Sequence, residues 1–199
     1  ALFMPKTKFA DNAMDEKTTR LIAQMHKAIT IIQFKLEGEI IRRRPEFEMD
    51  DRMLLHHIDL KRGVVHIDGK DYTLKDTNWP TLDPKDPYRL SIEEEDLIRK
   101  ILHSFESSEK MKKHMRCFFR HGGMYQVCNS NLLFHASIPM NPDGTFKSVR
   151  ILGQDYKGRA LLDRVDQLIR TAYFKTGEQE EVEYAHDYIW YLWGGKDSP

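Results

Sequence analysis

One histidine has a setting in which it could do chemistry. His135 closes the apolar run Leu132-Leu133-Phe134 and is followed by Ala136-Ser137-Ile138-Pro139, small residues and a turn. An imidazole at the C-terminal end of a strand is held rigidly and faces the loops above the sheet, which suits a metal ligand. From the residues alone the commoner occupant of such a position is a buried, hydrogen-bonded histidine with no ligand. The other chemistry-bearing residues have plainer readings. His56 and His57, with His66, could suggest metal ligation, but adjacent histidines on a helix point about 100° apart and cannot readily chelate together. His103, His114 and His121 share a helical stretch with Lys and Arg near its end, which is a solvated face favoured by the helix dipole. Arg42-Arg43-Arg44 at a helix C-terminus has the same explanation, although a phosphate clamp uses the same residue type. Cys117, among Met115, Phe118 and Phe119, reads as a small core residue. There is no Walker A loop, no Gly-x-Gly-x-x-Gly, no Gly-x-Ser-x-Gly and no His-Glu-x-x-His. No catalytic or substrate-binding residue can be named from the residues alone.

The elements that would carry these residues follow from periodicity. Leu21, Ile22, Met25, Ile29, Ile32, Leu36 and Ile40 recur at three- and four-residue steps, predicting one long amphipathic helix over 15–44 that Pro45 stops. A short helix is expected from Met49 to Ile58. A hairpin over 63–74 turns at Asp68-Gly69, and 76–88, with Pro80, Pro84 and Pro87, is a loop without regular structure. Ser91 and Glu94 form a capping box before a helix that runs to Ser104, restarts at Ser107 or Ser108, and stops near Arg120 at a left-handed Gly122-Gly123. Met124 to Cys128 and Leu132 to His135 are strands joined by a tight polar turn, and Ser148 to Leu152 is another strand. Gly158 to Phe174 is a helix burying Leu161, Leu162, Val165, Leu168, Ile169 and Ala172, and a last helix carries Tyr184, Tyr188 and Tyr191. Residues 1–14 have no period and read as an extended lead-in.

Composition bounds the partners. The 199 residues carry 31 Lys+Arg against 31 Asp+Glu, so no global field draws the chain to nucleic acid or an anionic membrane. No apolar run reaches the roughly 20 residues of a bilayer span. The two cysteines suit a reducing compartment, and the expected location is the cytoplasm. Nothing at Ala1-Leu2-Phe3-Met4-Pro5 resembles a secretion signal.

The longer motifs carry a resemblance. Met25-His26-Lys27-Ala28-Ile29 with Ile31-Ile32-Gln33-Phe34-Lys35-Leu36-Glu37-Gly38 is similar to the long helix of the class III fructose-1,6-bisphosphatases. So are Arg44-Pro45-Glu46-Phe47, Asp76-Thr77-Asn78-Trp79-Pro80-Thr81, Asp83-Pro84 and Pro87-Tyr88. The second half adds Asn129 to His135, Ile138-Pro139, Gly158 with Ala160-Leu161-Leu162-Asp163, Trp190-Tyr191-Leu192-Trp193-Gly194 and Ser198-Pro199. The resemblance implies a calcineurin-like metallophosphatase with a two-metal site, served by manganese. It implies hydrolysis of fructose 1,6-bisphosphate to fructose 6-phosphate and phosphate in gluconeogenesis. Of the superfamily's metal-binding motifs, only the strand-end His followed by small residues and Pro is present, so the resemblance makes His135 a metal ligand.

The expected fold class is therefore α+β: residues 1–123 a mainly helical insertion with a small hairpin, residues 124–199 strands and helices of an incomplete metallophosphatase sandwich core. The chain reads as an internal piece of a longer enzyme, inactive by itself, whose partner is the remaining phosphatase core. A non-enzymatic module, in which the helical part drives homo-oligomerisation or binds a regulatory ligand, is the competing reading.

Overall fold

The computed structural model describes residues 15–134 and 136–199, and the expected lead-in at 1–14 lies outside them. The chain is α+β and divides into two compact units, one reaching to residue 103 and one running from 104 to 199.

The first unit is built on α1 (Glu16–Arg43), a helix of 28 residues and about 42 Å at 1.5 Å per residue. Asp15 starts it. The Asp15 carboxylate accepts from the Thr18 N–H at 2.9 Å and from the Thr18 hydroxyl at 2.6 Å. The apolar stripe expected along the whole helix is buried only from Ile31 onward, where Ile31, Ile32, Lys35, Gly38 and Ile41 face inward. Leu21, Met25 and Ile29 are exposed.

A helix from Met49 to Ile58 does not form. Single 3₁₀ turns take its place, at Pro45–Phe47, Asp50–Arg52 and Leu54–His57. Glu48 breaks the run in the left-handed region at φ 51°, and Met49, two positions after Phe47, would face the opposite side of a helix although both are buried. Ile58–Asp59 is instead a short strand, β1, which pairs antiparallel with β2 (Val64–Ile67). β2 pairs in turn with β3 (Lys70–Thr73) through the expected Asp68-Gly69 turn, both at positive φ. Helix α2 (Ile92–Ser107) starts on the predicted capping box: the Ser91 N–H donates to Glu94 Oε2 at 2.8 Å, and the Glu94 N–H donates to Ser91 Oγ at 3.3 Å.

In the second unit, Ser108 caps α3 (Glu109–His121). Gly122 ends α3 in extended geometry, φ −97° and ψ 167°, not the left-handed stop expected. β4 (Tyr125–Cys128) and β5 (Asn131–Phe134) form the predicted hairpin over Asn129-Ser130, pairing Tyr125 with Phe134 and Cys128 with Asn131. The expected strand at 148–152 is β6 (Val149–Ile151), and it hairpins onto β7 (Gln154–Tyr156), which the polar sequence had not signalled. α4 (Gly158–Phe174) packs against α5 (Gln179–Tyr191). Their shared core holds Leu161, Leu162, Val165 and Leu168 from one helix, with Tyr184, Ala185 and Tyr188 from the other.

Candidate functional site

The residue singled out for chemistry, His135, lies outside the described residues. Both of its flanks are described, and both are tethered. On the N-terminal side, Phe134 pairs with Tyr125, whose hydroxyl donates to Asp163 Oδ1 on α4 at 3.0 Å. On the C-terminal side, the Ser137 hydroxyl donates to the Ser198 carbonyl at 3.0 Å. The segment holding Ser198 is itself fixed. Its hydroxyl donates to the Leu192 carbonyl at 2.9 Å, the Asp197 N–H donates to Tyr191 Oη at 3.3 Å, and the Asp197 carboxylate pairs with Lys147. One flank is thus tied to position 163 and the other to the segment at 191–198.

The connection leading into this hairpin is held by Arg170. Its guanidinium donates to the Phe119 carbonyl at 2.7 Å and the Gly122 carbonyl at 3.2 Å, and pairs with Asp166 at 2.7 Å. Phe119 lies in the last turn of α3 and Gly122 is its C-cap residue, so these are carbonyls at a helix end that a cation satisfies. This also explains the geometry of Gly122, whose carbonyl points at Arg170. A cleft of about 530 Å³ lies beside it, lined by Gly122, Gly123, Tyr125, Leu133 and Phe134 among others.

The hairpin itself is bare. Val127, Leu132, Leu133 and Phe134 are between 44% and 64% exposed, and Leu132 and Leu133, as neighbours along a strand, lie on opposite faces. A run of apolar residues covering both faces is what a strand in the middle of a covered sheet needs.

The remaining candidates disperse. His56 sits edge-on to the Tyr88 ring at 4.9 Å, and His66 Nδ1 is 2.8 Å from Asp71 Oδ1. His103, His114 and His121 are exposed, as a solvated face requires. Cys117 is exposed rather than a core residue, because α3 buries only Phe119. Arg42 pairs with Asp86 at 2.9 Å and lies over the Tyr88 ring at 4.7 Å, a structural use. Among the described residues no three His, Cys, Asp or Glu side chains converge on a point. A two-metal centre needs several convergent donors. The described residues therefore do not fit such a centre by themselves.

In the first unit, the motif residues hold the fold together. Lys35, fully buried, donates to the Thr81 carbonyl and to Glu94 Oε2, each at 2.7 Å. Glu94 Oε1 accepts from the Thr81 hydroxyl at 2.6 Å, so one carboxylate joins α1, the proline-rich loop and the cap of α2. Lys27 pairs with Asp76 at 2.8 Å, and the Trp79 indole N–H donates to the Asp76 carbonyl at 3.1 Å. Tyr88 packs on Gly38 with no room for a Cβ, and its hydroxyl accepts from the Leu55 N–H at 3.1 Å. Sequence reading missed this network because Lys35 and Glu94 lie 59 positions apart and each looks like a surface residue. The hint available was a Lys and a Gly on the inner face of an otherwise apolar stripe.

The helix and loop motifs are thus placed in the fold, with the two flanks of His135, and comparison with known proteins bears on the family they resemble. The family model described as "Firmicute fructose-1,6-bisphosphatase" matches residues 1–199, and the chain belongs to that family. It is 64% identical over 198 residues to the "Fructose-1,6-bisphosphatase class 3" of Bacteroides fragilis and 63% identical over 198 residues to that of Bacteroides thetaiotaomicron. Each alignment covers 100% of this chain and 30% of the relative. The protein of the same name from Clostridioides difficile is 50% identical over 196 residues, 98% of this chain and 29% of the relative. The chain thus spans about 30% of the length of the curated relatives it matches. No solved structure matches it. No helix among the described residues is long and apolar enough to cross a membrane.

Proposed function

We propose that this chain is part of a metal-dependent fructose-1,6-bisphosphatase, a phosphoric monoester hydrolase releasing phosphate from fructose 1,6-bisphosphate in the cytoplasm. The observation that carries the reading is the family match along the whole chain, at 64% identity to a protein bearing that name. On this reading residues 1–123 are an insertion, and residues 124–199 belong to the catalytic core. The remaining phosphatase core of the same polypeptide covers the bare β4–β5 hairpin, whose apolar side chains on both faces support that placement. On the same reading His135 would be one ligand of a divalent metal, manganese, which would supply charge neutralisation of the phosphate and activation of water. This chain's own contribution is that imidazole and the tethers on either side of it.

The test uses the whole protein. It should release phosphate from fructose 1,6-bisphosphate with manganese present, while residues 1–199 alone release none above background. In the whole protein His135→Ala should lower turnover about 100-fold, equivalent to roughly 3 kcal/mol, and lower bound manganese, with an unchanged thermal melt. Near-normal turnover and metal content in that variant would remove His135 from the site. Absence of phosphatase activity in the unaltered whole protein would remove the function.

A second reading adds to the first and rests on the exposed Leu21, Met25 and Ile29 of α1, 56%, 60% and 43% accessible. In it, this stripe supports a homo-oligomer. Light scattering on the whole protein tests it. Met25→Glu with Ile29→Glu should lower the mass, and an unchanged mass excludes the stripe as the contact.

A further inference from the structure

We draw no further inference here: the strongest candidate, the apolar groove between the end of α2, α3, α4 and α5, has its bordering cations already paired, Lys112 with Glu109 and Lys175 with Glu106, and nothing in the structure shows what covers it.

Discussion

Gly38→Ala is the smallest change that interrogates the first unit, and its sign is worked from geometry. In an open helix interior this substitution stabilises by about 1 kcal/mol, because alanine restricts the unfolded chain and packs on the helix. At Gly38 the new methyl would lie 2.6 Å from Tyr88 Cγ, and closer still to Cδ1 and Cε1. The ring cannot simply yield. It is 1% exposed, with His56 edge-on at 4.9 Å, Arg42 over its face at 4.7 Å, and the Leu55 N–H bonded to its hydroxyl. Overpacking of this kind costs about 1–3 kcal/mol. Moving the hydroxyl strands the Leu55 N–H at a further cost of about 1–3 kcal/mol. Subtracting the helix gain leaves a net loss of about 3 kcal/mol near the middle of those ranges. Hydrogen exchange at the α1 amides reads this locally, without assuming that both units unfold together. The decisive arm is Tyr88→Ala as background. Without the ring, Gly38→Ala should turn from destabilising to stabilising by up to about 1 kcal/mol. A neutral or favourable effect beside the intact ring, or an unchanged cost without it, would refute the packing argument.

Lys35→Met leaves Glu94 buried without its cation, and should destabilise the first unit by about 3–5 kcal/mol in urea unfolding; a loss below about 1 kcal/mol would mean that the pair is not the clamp. Arg170→Met removes the donors to the Phe119 and Gly122 carbonyls and should cost about 1.5–3 kcal/mol. Arg170→Lys should restore part of it, and exchange rates at Tyr125 to Cys128 should report the same order. Acid should weaken the first unit in a defined window. The Arg42 hydrogen bond holds the Asp86 carboxyl below its ordinary value, and His66, then Arg62, do so for Asp71. Groups depressed in the folded state stabilise above their unfolded value near 3.9 and lose that contribution as pH falls through the folded value. The loss therefore belongs below about pH 4, and Asp86→Asn with Asp71→Asn should flatten that limb in a pH series of thermal melts. An equally steep limb in the double variant would place the acid sensitivity elsewhere.

Elements set by local rules were legible in the sequence. The Ser91–Glu94 box, the Asp68-Gly69 turn and the α4 stripe each depend on neighbours within a few positions, and each forms as its chemistry dictates. The failures are non-local. The segment after Pro45 offered helical composition, but burying Phe47, Met49 and Leu55 against α1 and Tyr88 required a chain that turns repeatedly. β7 was hidden because its turn places Leu152 at φ 47°, a conformation a leucine does not advertise. Gly122 was read as a left-handed stop because glycine usually permits one, yet Arg170, 48 positions away, satisfies its carbonyl in an extended geometry. Of the candidate site, the strand pair leading to His135 was legible from its apolar runs. The tethers through Tyr125, Ser137 and Arg170 were not, since nothing local pairs a tyrosine or a serine with residues 38 and 61 positions on.

The β4–β5 hairpin has one more consequence, and it concerns handling rather than catalysis. Leu132-Leu133-Phe134 is a short uncharged strand without proline, and β4 and β5 form a two-stranded sheet with no further strand on either side among the described residues. Such an edge templates its own copies, because a second hairpin can continue the ladder while its leucines interdigitate. For residues 1–199 by themselves, without the core that would cover the hairpin, the propensity to precipitate should therefore rise steeply with concentration and concentrate in these few residues. A lysine at position 133 would act as a gatekeeper there, leaving the two compact units otherwise untouched.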